Sequence, residues 1–268
     1  MNRRCFLIGL ASAGAVGCQS TRDAAADRAP TLRVLSYNVH HGEGVDGRLD
    51  LERIAAVIRT AKPDLAALQE VDQRAQRTGG IDQPAEYIRL TGMHGWFGAA
   101  MPFQGGAYGQ VLLSRWPMRT CQIVRLPGSP GVEPRVAVTA LVDAPRLGRI
   151  RWVGLHLDAG REDGARWEQA GTLIREFGHD GIPTLMAGDF NAVPDSRVMQ
   201  RLLDPSTGWL DTAGAWAAPT SPAESPRSRI DYVLASPRTA WETVQSEVIS
   251  EAVASDHRPL SAVLRLRK

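Results

Sequence analysis

Nine side chains able to hold a cation or move a proton stand at the ends of apolar runs along this chain. Asn38 and His40 close and follow the run that starts at Leu32, and Glu70 ends the one that starts at Leu65. His156 lies at the end of Ile150–Leu157, and Asp189 and Asn191 follow Thr184–Ala187. Asp231 opens another apolar run, and Asp256 and His257 precede the last, Leu260–Leu266. Asp and Asn are poor strand residues, so apolar strands that run into them need a reason. Turn formation is one, because both side chains bond their own backbone. A set spread from the first run to the last suggests another, which is chemistry at one rim. Carboxylate and amide oxygens suit hard cations. A carboxylate can take a proton from water and an amide cannot, while imidazole changes charge near neutrality. No dense His/Cys cluster is present, which argues against a structural zinc site.

The elements that must carry these groups can be read from periodicity. Leu32–Asn38 alternates as a strand does, and Leu65–Glu70 is a short buried strand. Leu51, Ile54, Ala55, Val57 and Ile58 have helical spacing within Leu49–Ala61, and Pro63 stops that helix. A helical turn or two is expected at Glu86–Gly92, and a longer helix at Glu162–Phe177. Strands are expected at Gln110–Ser114, Met118–Arg125, Arg135–Val142, Ile150–Leu157, Thr184–Ala187, Ile230–Ala235, Trp241–Ile249 and Leu260–Leu266. Strands therefore dominate, with helices interspersed, which means α/β or α+β with mixed sheets rather than a regular βαβ repeat.

The 268 residues, 43% hydrophobic and 22% charged, exclude a fibrous repeat or a disordered chain and suffice for a sizeable core. The formal charge is +2, and Arg3 and Arg4 account for the whole excess. A polybasic surface for nucleic acid is therefore not indicated, although a local patch of Arg is compatible with these counts. Residues 1–18 have the layout of a bacterial export signal: two arginines, an apolar run, then small residues before Cys18. Arg3–Leu7 resembles a twin-arginine signal, and Ala15–Cys18 resembles a lipobox with Ala15 where Leu is expected, so Cys18 is the expected lipidation site. The apolar run is short for a membrane span. Residues 19–30 read as a polar tether and 31–268 as one domain. Cys121 would then be its only thiol, in an apolar stretch that suggests inert core.

Six segments, Ser36–Asn38, Leu68–Val71, Gly154–Leu157, Gly188–Asn191, Arg229–Val233 and Ser255–Pro259, together resemble the endonuclease/exonuclease/phosphatase superfamily. That group includes pancreatic-type deoxyribonucleases, abasic-site endonucleases, inositol-phosphate phosphatases and sphingomyelinases. The resemblance covers essentially all of 31–268. It implies a four-layer α/β/β/α sandwich of two mixed sheets, deoxyribonuclease-like, with the site at one rim.

The resemblance also implies roles. Phosphodiester hydrolysis needs charge neutralisation, an activated water and a protonated leaving group. Mg²⁺, or else Mn²⁺ or Ca²⁺, would supply the first, held mainly by Glu70 with Asn38 and Asp256 nearby. Asp189 and Asn191 would address the attacking water and the phosphoryl oxygens, Asp189 as base and Asn191 as orienter or oxyanion donor. His257, its other ring nitrogen bonded to Asp231, is either a charge stabiliser or the base. His156 matches a second histidine suited to protonating the leaving group. Arg135, in Glu133–Arg135, matches a phosphate-approaching arginine, and Arg77 fits that pattern less well. Some deoxyribonucleases place a Glu in the segment that here reads Ala107–Gln110; Tyr108 is expected to take a polar role there. His40 stands where some abasic-site enzymes carry Asp. Both departures weaken a DNA-specific reading. His41 reads as loop, and His94 and His179 as surface or packing positions.

The expected activity is therefore a metal-dependent phosphoric ester hydrolase, exported and tethered at the cell envelope. A small-molecule or lipid-head-group ester is favoured as substrate, with DNA or RNA second. No protein partner is indicated. The competing reading is a non-catalytic binding lipoprotein, which loss of several site residues would have signalled.

Overall fold

The computed structural model describes residues 30–129, 131–178, 180–214 and 218–267. The export-signal segment with Cys18, residues 19–29 and His179 lie outside them. The strands are β1 (Thr31–Asn38), β2 (Leu65–Gln73), β3 (His94–Phe103), β4 (Gly106–Ser114), β5 (Met118–Arg125) and β6 (Val136–Ala144). They continue with β7 (Gly148–His156), β8 (Thr184–Asp189), β9 (Leu210–Asp211), β10 (Asp231–Ser236), β11 (Trp241–Val248) and β12 (Leu260–Leu266). The α-helices are α1 (Leu51–Ala61), α2 (Gln83–Thr91), α3 (Gly164–Phe177) and α4 (Arg197–Leu202). Two six-stranded sheets result, in the orders β11-β12-β1-β2-β4-β3 and β5-β6-β7-β8-β10-β9. Both are mixed: β1 runs parallel to β2 and β7 to β8, while the other pairings are antiparallel.

Side-chain alternation makes the layers. Leu32 and Val34 of β1, Leu65 and Ala67 of β2, and Leu185 and Ala187 of β8 meet Val138, Ile150 and Trp152 in a core between the sheets. Their neighbours face outward. Leu35, Tyr37, Ala66 and Leu68 pack under Ile54, Ile58 and Tyr87 of α1 and α2. Met186, Tyr232 and Leu234 pack under Ala170, Leu173 and Met199 of α3 and α4. Central strands covered on both faces must be apolar throughout, which is why β1, β2 and β8 read as nearly continuous hydrophobic runs. The outcome is a four-layer α/β/β/α sandwich.

The helix ends follow local chemistry. Asp50 caps α1 by accepting the Arg53 N–H at 2.9 Å, so α1 begins at Leu51 rather than Leu49. Asp82 caps α2 in the same way, with Pro84 in its first turn, and this sets its start ahead of Glu86. β3, α4 and β9 were not anticipated. β3 carries Gly95, Gly98 and Pro102, which interrupt any strand pattern. It is an edge strand, where Pro is tolerated, and a Cβ on Gly98 would lie 2.0 Å from Val138 Cγ1 of the other sheet. Cys121 is only half-buried on edge strand β5 rather than fully in the core.

Candidate active site

Strand register lines up the chemistry. At the rim, His156 of β7 pairs with Asp189 of β8, and Asp189 pairs with Asp231 of β10. In the other sheet Asn38 ends β1 opposite Gln69 of β2, next to Glu70. Gln69 and Glu70 together oppose the single residue Gln110 of β4, because the register shifts between Leu68 and Val71. This bulge re-aims the chain, and Glu70 sits in left-handed backbone at φ 59. Asn191 is likewise left-handed at φ 48, in the turn closed by its N–H to Asp189 Oδ1 at 2.8 Å.

A hydrogen-bonded chain joins these groups across the two sheets. Asn38 Nδ2 donates to Glu70 Oε1 at 2.9 Å and to Asp189 Oδ2 at 3.2 Å. Asn191 Nδ2 donates to the Leu157 carbonyl and to His156 Nε2, both at 3.1 Å. The carbonyl fixes the amide orientation, so His156 Nε2 accepts and its proton sits on Nδ1. His257 Nδ1 donates to Asp231 Oδ2 at 2.9 Å, and its Nε2 lies 3.8 Å from Asp189 Oδ2. The Ser255 hydroxyl ties the segment before His257 to the Asn38 carbonyl at 2.7 Å.

The electrostatics separate the two imidazoles. Burial, then the charges of Arg135 and His257, hold His156 well below the usual histidine range, so it is neutral. Burial also lowers His257, but Asp231 outweighs it by charge and hydrogen bond and lifts His257 to about 10. His257 is therefore a cation at neutral pH. Asp189 is pushed upward by burial and by Asp231.

Glu70, His156, Asp189, Asn191 and His257 line a pocket of about 300 Å³ together with Arg77, Met101, Phe103, Tyr108, Glu133 and Arg135. A larger recess of about 500 Å³ lies beside α1, around Arg53, Val57 and Glu251, away from this chemistry. Arg135 is buried, with Nη1 2.9 Å from Glu133 Oε1. Arg77 is gripped through Nε and Nη2 by buried Asp72 at 2.7 and 2.9 Å, and lies over the Phe103 and Tyr108 rings. Four expected site residues are not among those lining the pocket: Asn38 and Asp231, which reach it through their hydrogen bonds to Glu70 and His257, and His40 and Asp256. His40 turns its Nδ1 to the Glu43 carbonyl at 3.1 Å, while its backbone N–H supports Asn38 Oδ1 at the same distance. Asp256 accepts from Ser255 at 3.3 Å and acts on His257 through its charge. Conversely, Glu133, Met101 and Phe103 line the pocket without having been expected there. Glu133 stands in a Gly/Pro-rich stretch with no periodicity, and its only signal was its place beside Arg135.

The donor set fits a hard divalent cation. Glu70, Asp72, Glu133, Asp189 and Asp231 outnumber the cations Arg77, Arg135 and His257, and buried Asp231 Oδ1 has no hydrogen-bond partner. Such a pocket repels an anion until a cation balances it. Asp189, Asp231 and His257 also have ligand atoms within 4.8 Å of one another. His257, however, spends Nδ1 on Asp231 and is protonated, which makes it a poor ligand. Half-buried Glu70, with Asn38, is the better seat.

The sequence pattern of the Endonuclease/Exonuclease/phosphatase family matches residues 35–257, a span that contains every group just described. The chain belongs to this family. Over 249 residues it is 25% identical to the uncharacterized protein YbhP of Escherichia coli, covering 88% of this chain and 97% of that one. An endonuclease/exonuclease/phosphatase structure from Beutenbergia cavernae superposes with a TM-score of 0.74 at 29% identity, covering 89% of this chain and 72% of that chain. A mannosyl-6-phosphatase from Bacteroides thetaiotaomicron gives 0.71 at 20% identity, over 87% and 99%. As an endonuclease/exonuclease/phosphatase family protein, the chain carries the fold of a group of phosphoester hydrolases and a polar rim pocket suited to that chemistry.

Proposed function

We propose that this protein is a divalent-metal-dependent phosphoesterase that cleaves a phosphodiester or phosphomonoester by in-line attack of water. The supporting observation is the unbroken chain Glu70–Asn38–Asp189–Asn191–His156, flanked by the His257–Asp231 pair. Glu70 and Asn38, with Asp256 behind them, would hold Mg²⁺ or a similar ion, which supplies Lewis-acid neutralisation of the phosphate when bound. Asp189 orients the water and takes its proton. His257, held as a cation by Asp231, donates to phosphoryl oxygen, which favours the charge-stabilising role over that of base. His156, neutral and accepting at Nε2, has no proton there to give the leaving oxygen, contrary to the role the resemblance implied; it positions Asn191, and the leaving oxygen takes its proton from water. Arg135 stands at the pocket wall as a second donor to the phosphate.

A balanced overall charge supports a small or lipid-derived ester over a nucleic acid. The purified domain should be assayed on sphingomyelin, a phosphoinositide, inositol phosphates and plasmid DNA, with Mg²⁺ and with chelator. Chelator-sensitive hydrolysis of a small or lipid ester is expected, and plasmid cleavage alone would favour a nuclease instead. Inactivity on the whole panel with Mg²⁺, Mn²⁺ and Ca²⁺ rules the reading out.

The basic, apolar start and Ala15–Cys18 support export and an acyl anchor at Cys18, placing the enzyme in the periplasm or cell envelope with the membrane as its partner. Labelled fatty acid should enter the chain in bacteria and be lost in Cys18→Ser; equal labelling of both would refute the anchor.

A further inference from the structure

A groove of about 730 Å³ opens from the phosphate pocket and shares Glu133, Arg135 and Ala159 with it. One wall is the segment after β5, with Ser129 and Val132, and the other is the segment from β7 into α3, with Asp158, Glu162 and Ala165. The chemistry above uses none of these wall residues.

The two walls are tied together from below. Buried Gln169 of α3 accepts the Asp158 N–H at 3.0 Å and donates through Nε2 to the Pro127 carbonyl at 2.8 Å, so one side chain bridges both. Buried Arg166 donates through Nη1 to the carbonyls of Asp158 at 2.9 Å and Gly160 at 2.6 Å. Burying two long polar side chains to hold two surface loops at fixed spacing costs conformational entropy and desolvation, and it preorganises the space between them.

The lining defines what fits. Ala159, Gly160, Gly164 and Ala165 leave room for a flat face, and Val132, 46% exposed, adds an apolar edge. Glu133 and Glu162 offer carboxylates, strong acceptors for hydroxyl groups. Arg135 is already paired with Glu133, which leaves Arg161 as the other cation of the lining. A strand of further phosphates would meet more carboxylates than guanidinium groups here, the reverse of what nucleic-acid binding requires. We infer that this groove is the subsite for the alcohol half of the ester, and that this half is a neutral, hydroxyl-rich group at least as large as a sugar ring. The inference rests on the phosphoesterase reading and adds its substrate class.

Val132→Trp and Ala165→Trp plug the groove from opposite walls without touching the phosphate pocket. Turnover should be compared for esters that differ only in the alcohol: methyl phosphate against a hexose 6-phosphate, and the corresponding dimethyl and methyl-hexose diesters, with Mg²⁺ throughout. The wild type is expected to prefer the hexose ester in kcat/KM by about tenfold or more, the gain of a modest set of added contacts. Both plugs should remove that preference and leave the methyl ester within about twofold, since its contacts are untouched. Unchanged preference in both variants, or no preference in the wild type, overturns the groove assignment and leaves the phosphoesterase reading standing. So does a loss confined to hydrolysis of a short oligodeoxynucleotide. Failure of the wild type on every ester removes the phosphoesterase reading first.

Discussion

Asp189→Asn is expected to lower kcat by about 10³-fold, the range lost with a positioned proton acceptor. The change is isosteric and keeps an oxygen for the Asn191 N–H, now 2.8 Å away, so the turn should survive. Its net cost in stability should be small, because losing the Asn38 Nδ2 hydrogen bond, which an amide nitrogen cannot accept, is offset by removing a buried charge. Burial and Asp231 raise the Asp189 carboxyl above its ordinary 3.8. Its favourable share in folding is present below that value and vanishes as the pH rises, so at neutral pH the ionised form is a burden that Asn lifts. Steady-state kinetics and denaturant melts on the same preparation decide the matter. A collapse of both would mean a structural role, and unimpaired turnover would mean the base lies elsewhere. His257 sets the opposite limb. Its pKa rises from 6.5 to about 10, so the stability it gains from Asp231 is complete below about 6.5 and is lost as the pH climbs through about 10. Activity should decline over the same alkaline range as the phosphate loses its charged donor.

Glu70→Gln is expected to raise the Mg²⁺ concentration needed for half-maximal activity by about 10²-fold or more, because several kcal/mol of cation stabilisation depend on that carboxylate. Asn38 Nδ2 keeps an oxygen to donate to, so the variant should fold. Mn²⁺ binding followed by electron paramagnetic resonance gives a readout independent of turnover. Unaltered affinity would move the cation to the neighbouring Asp189, Asp231 and His257 grouping.

Much of this arrangement could be read from the residues. Strands covered on both faces must be greasy and then end abruptly in polar groups, so the positions of Asn38, Glu70, His156, Asp189 and Asp231 were visible as interruptions. What periodicity could not show was direction. His40 belongs to the same interrupted pattern, yet left-handed backbone at φ 43 turns its ring to Glu43. Asp256 adjoins His257 in a bend ahead of β12, where no periodicity tells which side chain turns inward, and only His257 lines the pocket. Glu133 lies in a loop whose shape is set by Gln169 from a helix far along the chain, a tertiary cause with no local signature. β3 escaped notice because its glycines answer to what packs on its two faces, Gly98 to Val138 of the opposite sheet and Gly95 to Ile88 of α2, rather than to its own strand.

The Asn38–Asp189 and His257–Asp231 hydrogen bonds each run from one half of the sandwich to the other. Neither sheet by itself holds a working set of groups. Turnover should therefore lag behind recovery of secondary structure when the unfolded chain is diluted into buffer, returning only as the halves lock together. Small slips between the layers, as from trimming Trp152 in the seam, would be felt at the rim long before the protein came apart.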